Sequence, residues 1–289
     1  NRIGKMGIVE FFKSRIIRLH PLVVLGSVLG LLAFLFDPFG GNAASYSVGS
    51  TLLLFVTSAL LIPFPVMTER SFNLFGLNAP SWSLFWEYAA NIVYAFVLCR
   101  LPRRYLVMLT IVAAAALCYV GYRAGALLGG WGKDSFWDGS ARISYSFLAG
   151  LLIFRFNIII KNRLGFVGLA LLLLLALMMP HFSWNWLAEL VVVLLYFPLL
   201  IALGAGAVLA PGLKKLCVFS GQISYPLYMT HYAVIWMFSN YYNSRQPGTT
   251  QLAFIIIAGT ILLLGFAWLA MVVYDIPVRK YLTARRKSG

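Results

Sequence analysis

Apolar residues run through this chain in long blocks, at 19–36, 48–66, 82–99, 105–121, 141–156, 164–180, 186–209, 218–240 and 251–274, and charges, prolines or glycines bound each block. Most blocks match the roughly 20 residues that a helix needs to cross about 30 Å of hydrocarbon. None has the short alternating pattern of a membrane barrel strand. The pattern predicts an all-α fold, a polytopic transmembrane helical bundle. The linkers are short, and no soluble domain, low-complexity tract or clear internal repeat separates the blocks, so residues 1–289 read as a single integral-membrane domain.

Composition supports the same reading. Hydrophobic residues make up 61% and charged residues 11%, with a mean hydropathy of +0.86, far outside the range of a water-soluble domain. The lipid bilayer is the first partner implied. A net charge of +15 raises the question of nucleic acid, but Lys and Arg cluster just beyond the ends of the apolar blocks, as cytoplasmic loops do, and no nucleic acid is expected. Cys99, Cys118 and Cys217 have no paired spacing, so neither a disulfide framework nor a metal site is implied.

Charge also constrains topology. If every block crosses, Arg100, Arg103, Arg104, Lys214 and Lys215 fall outside while Asp134 and Asp138 fall inside, against the positive-inside rule. Block 48–66 ends at Pro63 and Pro65. If it enters and leaves on the outer side as a re-entrant or broken helix, most of the 23 basic residues become cytoplasmic, and Asp37, Glu69, Asp134 and Asp138 face the opposite side. About eight crossings plus one re-entrant element is the expected arrangement.

Candidate chemistry sits at three places. In "SWSLFWE", Glu87 lies about one and a half turns after Ser81, at the outer end of a block. It reads either as an acid favoured by a helix N-terminus, with Ser81 or Ser83 capping and Trp82 and Trp86 as interfacial aromatics, or as a site carboxylate. A partner at similar depth favours the second reading. His231 lies inside block 218–240 within "ISYPLYMTHYAV", where Ser224, Tyr228 and His231 form a polar stripe on one helical face and Tyr225, Thr230 and Tyr232 flank it. Glu189 is a further carboxylate near Trp184 and Trp186 at the outer interface, and His181 reads as a loop residue. In "KSRIIRLHPL", Arg15 and Arg18 share a face just before the first block. They read either as an orientation signal or as forked donors for a phosphate or pyrophosphate group. His20 beside them reads as an interfacial residue or a third phosphate contact.

"RIIRLHPL", "SWSLFWE", "ISYPLYMTH" and the terminal "YDIPVRKYL" occur in the order and at roughly the spacing of the acyltransferase-3 family, and the chain resembles that family over almost its whole length. The resemblance implies a bundle of about ten helices in the bacterial inner (plasma) membrane. It implies an enzyme that moves an acyl group, often acetyl, from cytoplasmic acyl-CoA to a hydroxyl of an extracytoplasmic carbohydrate or glycolipid. Acyl-CoA is then the donor co-substrate, and no metal is required. By resemblance Arg15 and Arg18, with His20, take the acyl-CoA role. Trp82 and Ser83, with Ser224, Tyr225 and Tyr228, take the acceptor side, and Glu87 and His231 act as supporting catalytic groups. Asp275 stands where the family often has Glu, and Pro277 and Arg279 match.

The family's Arg-x10-His pair and Ser-Gly-Phe stretch, from its first two helices, have no counterpart here. The resemblance therefore implies an N-terminally truncated chain that starts between helices two and three, with the base expected upstream of Asn1 and no transferase activity in the fragment alone. The competing class is a transporter or flippase for a glycolipid or small solute, for which buried Glu and His also suit. No inverted repeat is visible, and acyl-CoA binding at Arg15 and Arg18 separates the two.

Overall fold

Helices fill the apolar blocks, but they do not stop where the blocks stop. In chain order they are α1 (Ile8–Phe36), α2 (Val48–Ala59), α3 (Ser81–Val93), α4 (Arg103–Ala124), α5 (Phe136–Phe156), α6 (Gly165–Leu177), α7 (Asn185–Val191), α8 (Phe197–Gly206), α9 (Lys214–Arg245), α10 (Thr249–Leu269) and α11 (Ile276–Ser288). Wider π-type turns continue α3 through Tyr94–Leu98, join α7 to α8 through Val192–Tyr196, and join α10 to α11 through Ala270–Asp275. The computed structural model describes residues 7–40 and 42–288, and the start of the basic leader, with Arg2 and Lys5, lies outside the described residues. No strand occurs among the described residues. Two compact units emerge: one holds the segments up to Phe85, Trp131–Lys133 and from Ser220 onward, the other Trp86–Gly130 and Asp134–Phe219.

Four helical stretches among the described residues are long and apolar enough to cross a membrane: Ile8–Phe36, Arg103–Ala124, Asn185–Gly206 and Thr249–Arg286. With the overall composition they make this an integral membrane protein. Helix α9 has the length, but Gln222, Ser224, Tyr225, Tyr228, Thr230 and His231 dilute its hydropathy. Helix α2 has the hydropathy without the length. Its 12 residues extend only about 18 Å, well short of the roughly 30 Å hydrocarbon core.

In the first unit α1 absorbs both the basic leader and the first apolar block. Glu10 in its opening turn suits the positive end of the macrodipole. Its buried positions Leu19, Leu22, Val23, Gly26, Ser27, Gly30, Ala33 and Phe34 recur every three or four residues, so one stripe is packed. The helix stops at Asp37, whose Oδ1 accepts from the Phe39 N–H at 2.9 Å and whose Oδ2 accepts from Asn240 Nδ2 at 2.7 Å. Ser47 caps α2 by accepting from the Ser50 N–H at 3.1 Å, and the buried Ser27 and Ser58 hydroxyls tie α2 to α1 at 2.9 Å. Leu61, at φ 56°, then turns the chain out of the helix, and residues 62–80 run without regular helix except for the short turn Thr68–Arg70.

Two glycines decide how closely that irregular segment lies on α1. A Cβ on Gly30 would overlap the carbonyl oxygen of Leu77, and one on Gly26 would overlap Asn78 Nδ2 and sit 2.5 Å from the Met229 carbonyl oxygen. Asn78 Nδ2 in turn donates to that Met229 carbonyl at 3.2 Å, in a fully buried setting. Helix α1, the segment before α3, and α9 therefore meet backbone to backbone.

The second unit is built on α4 against α5, where Leu106, Ala113, Leu117 and Val120 pack on Tyr145, Leu148 and Ala149, with Leu190 of α7 and Leu127 closing the cluster. Its acids serve the loops. Glu189 accepts from the Leu127 N–H and from Asn185 Nδ2, both at 2.5 Å, and buried Asp138 pairs with Arg123 at 2.5 Å.

Two outcomes test this arrangement. Gly30→Val places side-chain atoms against backbone that has no room to give, so it is expected to lower stability by about 2–3 kcal/mol in detergent unfolding. Gly150→Ala, where nothing lies within 4 Å, is the control and should move stability by no more than about 1 kcal/mol. Because α2 is too short to span, single cysteines replacing Ser45 and Phe72 are expected to label from the same side of sealed vesicles. Labelling from opposite sides would overturn the re-entrant assignment.

Candidate active site

The segment that Gly26 and Gly30 admit carries one wall of a cavity in the first unit. Residues 72–74 pair with 131–133, where the Leu74 N–H donates to the Trp131 carbonyl at 2.8 Å and the Lys133 N–H to the Phe72 carbonyl at 3.1 Å, so Trp131 is pinned beside Arg70. Ser71 and Phe72 hold left-handed conformations, φ 52° and 50°, that are uncommon outside glycine. They turn the chain sharply just after Arg70. At Pro80 the segment becomes α3, which brings Trp82 to the same wall. Helix α9 supplies the facing wall with Tyr228, His231, Tyr232 and Trp236, spaced so that one face of the helix is presented. The cavity is open at one side and has a volume of about 400 Å³.

Polar contacts at the rim are specific. The Tyr228 hydroxyl lies 2.7 Å from Ser83 Oγ and 3.2 Å from the Pro80 carbonyl oxygen, which also accepts from Ser83 Oγ at 3.0 Å. His231 Nδ1 lies 2.9 Å from the Tyr228 carbonyl and 3.1 Å from the Leu227 carbonyl. Carbonyl oxygens only accept, so Nδ1 carries a proton, and Nε2 is the ring nitrogen left free of these backbone contacts. The backbone of α9 thus sets the tautomer.

Arg70 is the most buried charge in this wall, at 3% exposure. Its Nη1 donates to the Gly76 carbonyl at 2.7 Å, and its guanidinium lies 4.5 Å from the Trp236 ring centroid and 5.7 Å from that of Phe34. Its Nε is buried without a partner. Neighbouring Glu69 accepts from the Tyr46 hydroxyl at 3.1 Å through Oε2, and its Oε1 is buried without a hydrogen-bond partner. Burial and then that hydrogen bond push the Tyr46 phenol up to about 12. Among the described residues no carboxylate lies within ion-pairing distance of Arg70. Burial pulls its pKa down to about 10, against the nearby Tyr232, Glu69, Asp37 and Tyr46, so it is charged at neutral pH. Cation–π contacts contribute about 0.5–2 kcal/mol, while the effective penalty for burying an ion is several kcal/mol. The aromatic cage offsets only part of the burial.

The residues expected from sequence divide accordingly. Trp82, Tyr228 and His231 come together at the cavity, and Ser83 joins them through Tyr228. Ser224 does not line it; its hydroxyl donates to the Gly221 carbonyl within α9 at 2.9 Å. Tyr225 instead ties α9 to α1, donating to the Leu19 carbonyl at 2.6 Å. Glu87 is half-buried on the part of α3 that belongs to the second unit, and its carbonyl accepts from Asn91 Nδ2 at 2.8 Å. Arg15 and Arg18 lie one turn apart on α1, Arg15 over the Phe11 ring at 5.3 Å and Arg18 exposed. His20 is hydrogen-bonded to the backbone of Ala59 at the end of α2. From Arg18 to Gly30, beside the cavity-bearing segment, is about 18 Å along the helix axis. Sequence reasoning missed Arg70, Trp131 and Trp236. The recurrence of aromatics at 228, 232 and 236 carried a signal for Trp236, but nothing local distinguishes Arg70 from an ordinary loop cation.

No curated protein and no solved structure significantly matches the chain. The family model described as "Acyltransferase domain", of the acyltransferase-3 type, matches residues 1–272, and with the motifs of α1, α3 and α9 in their expected order this protein belongs to the acyltransferase-3 family.

Proposed function

We propose that the protein is an O-acyltransferase of a bacterial inner membrane, with about eight crossings. It moves an acyl group, acetyl in the simplest case, from cytoplasmic acyl-CoA to a hydroxyl of an extracytoplasmic carbohydrate or glycolipid. Family membership supports the reaction class. The observation that carries the finer reading is the cavity itself, where an imidazole with its Nε2 lone pair open faces aromatic walls of the kind that stack on sugar rings.

In this reading the acceptor lies in the cavity with its O–H donating to His231 Nε2, which orients the oxygen for attack on the thioester carbonyl. A C–O bond forms and the C–S bond breaks. The hydroxyl proton leaves through a base, and the CoA thiolate takes up a proton as it departs. Tyr228 and Ser83, locked to each other and to the Pro80 carbonyl, hold the rim so that the acceptor meets a fixed set of donors. By family resemblance Glu87, on α3, is a further supporting catalytic group. Arg15 and Arg18 bind the donor's phosphates through their forked guanidiniums, with His20 beside them.

Replacing Arg15 and Arg18 together by Gln is expected to weaken acyl-CoA binding while leaving membrane insertion intact, and Lys should rescue poorly because an ammonium cannot reproduce the fork. Unchanged acyl-CoA affinity, measured by titration of the purified protein, would return the pair to an orientation signal and reopen the transporter reading. In the active enzyme, His231→Ala and Glu87→Gln are each expected to cut turnover about a hundredfold or more at normal expression. A Glu87 that serves only the helix end would instead cost on the order of 1 kcal/mol of stability and leave turnover near wild type.

A further inference from the structure

Arg70 is buried with no direct ion pair among the described residues, and Glu69 and Asp37 act on its charge only from a distance. The residue is only 3% exposed, it lines the cavity, its Nε has no hydrogen-bond partner, and the nearest acid in sequence, Glu69, accepts from Tyr46 through Oε2 while its Oε1 is itself buried without a partner. A guanidinium needed only to brace the loop through Gly76 has no reason to face a cavity. The same cavity presents Trp82, Trp131 and Trp236, flat apolar faces beside a charged fork and an open imidazole.

We propose that this cavity selects an anionic acceptor, a hydroxyl-bearing sugar that carries a carboxylate or a phosphate, and that Arg70 pairs with that charge. The proposal rests on the reading that the cavity takes the acceptor. A planar fork suits both carboxylate and phosphate, and an anion there completes the pairing that the aromatic cage leaves open. Trp236 stacks beneath the guanidinium and keeps its plane fixed, so the sugar is oriented by its charge before its hydroxyl reaches His231. Arg70 is thus a specificity-determining residue, separate from the Arg15 and Arg18 pair on α1.

The test uses the protein in phosphatidylcholine nanodiscs, with binding of methyl β-glucuronide, glucose 1-phosphate and the neutral methyl β-glucoside followed by tryptophan fluorescence and calorimetry, and acetyl-CoA titrated in parallel. At least one anionic sugar is expected to bind about tenfold or more tightly than the glucoside, and the tighter of the two identifies carboxylate or phosphate as the charge. Arg70→Gln should erase that preference while leaving glucoside and acetyl-CoA binding unchanged. Arg70→Lys should keep part of it, and decides the matter if the Gln variant does not fold. Equal binding of all three sugars, or a preference that survives Arg70→Gln, overturns the proposal and leaves the acceptor reading standing. So does a loss confined to acetyl-CoA, which would make Arg70 a donor contact. Failure of every sugar to bind removes the acceptor reading itself and this inference with it.

Discussion

Everything at the candidate site depends on how closely backbone can approach backbone at Gly26 and Gly30. Those two residues let the Leu77–Asn78 peptide settle directly on α1, and Asn78 then bonds to the Met229 carbonyl of α9. Three parts of the chain far apart in sequence are thereby held in one register. From that register follow the position of Pro80 as an acceptor for Tyr228 and Ser83, and the placing of Trp82 opposite α9. Side chains of ordinary size at either glycine would separate these layers by more than a hydrogen bond can span.

The cost of the site is visible in α9. A helix of 32 residues in a bilayer is stabilised by apolar side chains, and α9 gives up many of them. The polar groups it carries instead are largely satisfied by protein: Thr230 donates to the Pro226 carbonyl, Ser224 to that of Gly221, His231 to those of Tyr228 and Leu227, and Tyr225 to that of Leu19 on α1. Self-satisfaction of this kind removes most of the penalty for taking hydroxyls out of water. On the cavity side, Nε2 of His231 on α9 and Nε of Arg70 in the facing segment are left without a hydrogen-bond partner.

The acids of the second unit illustrate the opposite use of a buried charge. Glu189 and Asp138 each meet donors at hydrogen-bond distance and hold loops in place, and Glu189 orders the Leu127 backbone. A carboxylate such as Glu189, just after two tryptophans in sequence, looks as much like a site residue as His231 does. The difference lies in whether its partners are already supplied.

How much was legible without the fold follows from which forces are local. Periodicity and composition determined the helical, membrane-embedded class, because the bilayer penalises any other arrangement of such long apolar blocks. Sequence motifs determined the family and pointed to Tyr228, His231, Trp82 and Ser83, since polar residues on one face of an apolar helix must face something other than lipid. The charge pattern further singled out block 48–66, whose helix α2 has 12 residues. Sequence could not separate Tyr225, which braces α1, from Tyr228, which lines the cavity, because the two are adjacent on the same helix and differ only in what packs against them. Nor could it raise Arg70 above the many other cations. Its burial and its aromatic cage arise from contacts with Phe34, Gly76 and Trp236, and distances of that kind in sequence are closed only by the tertiary structure.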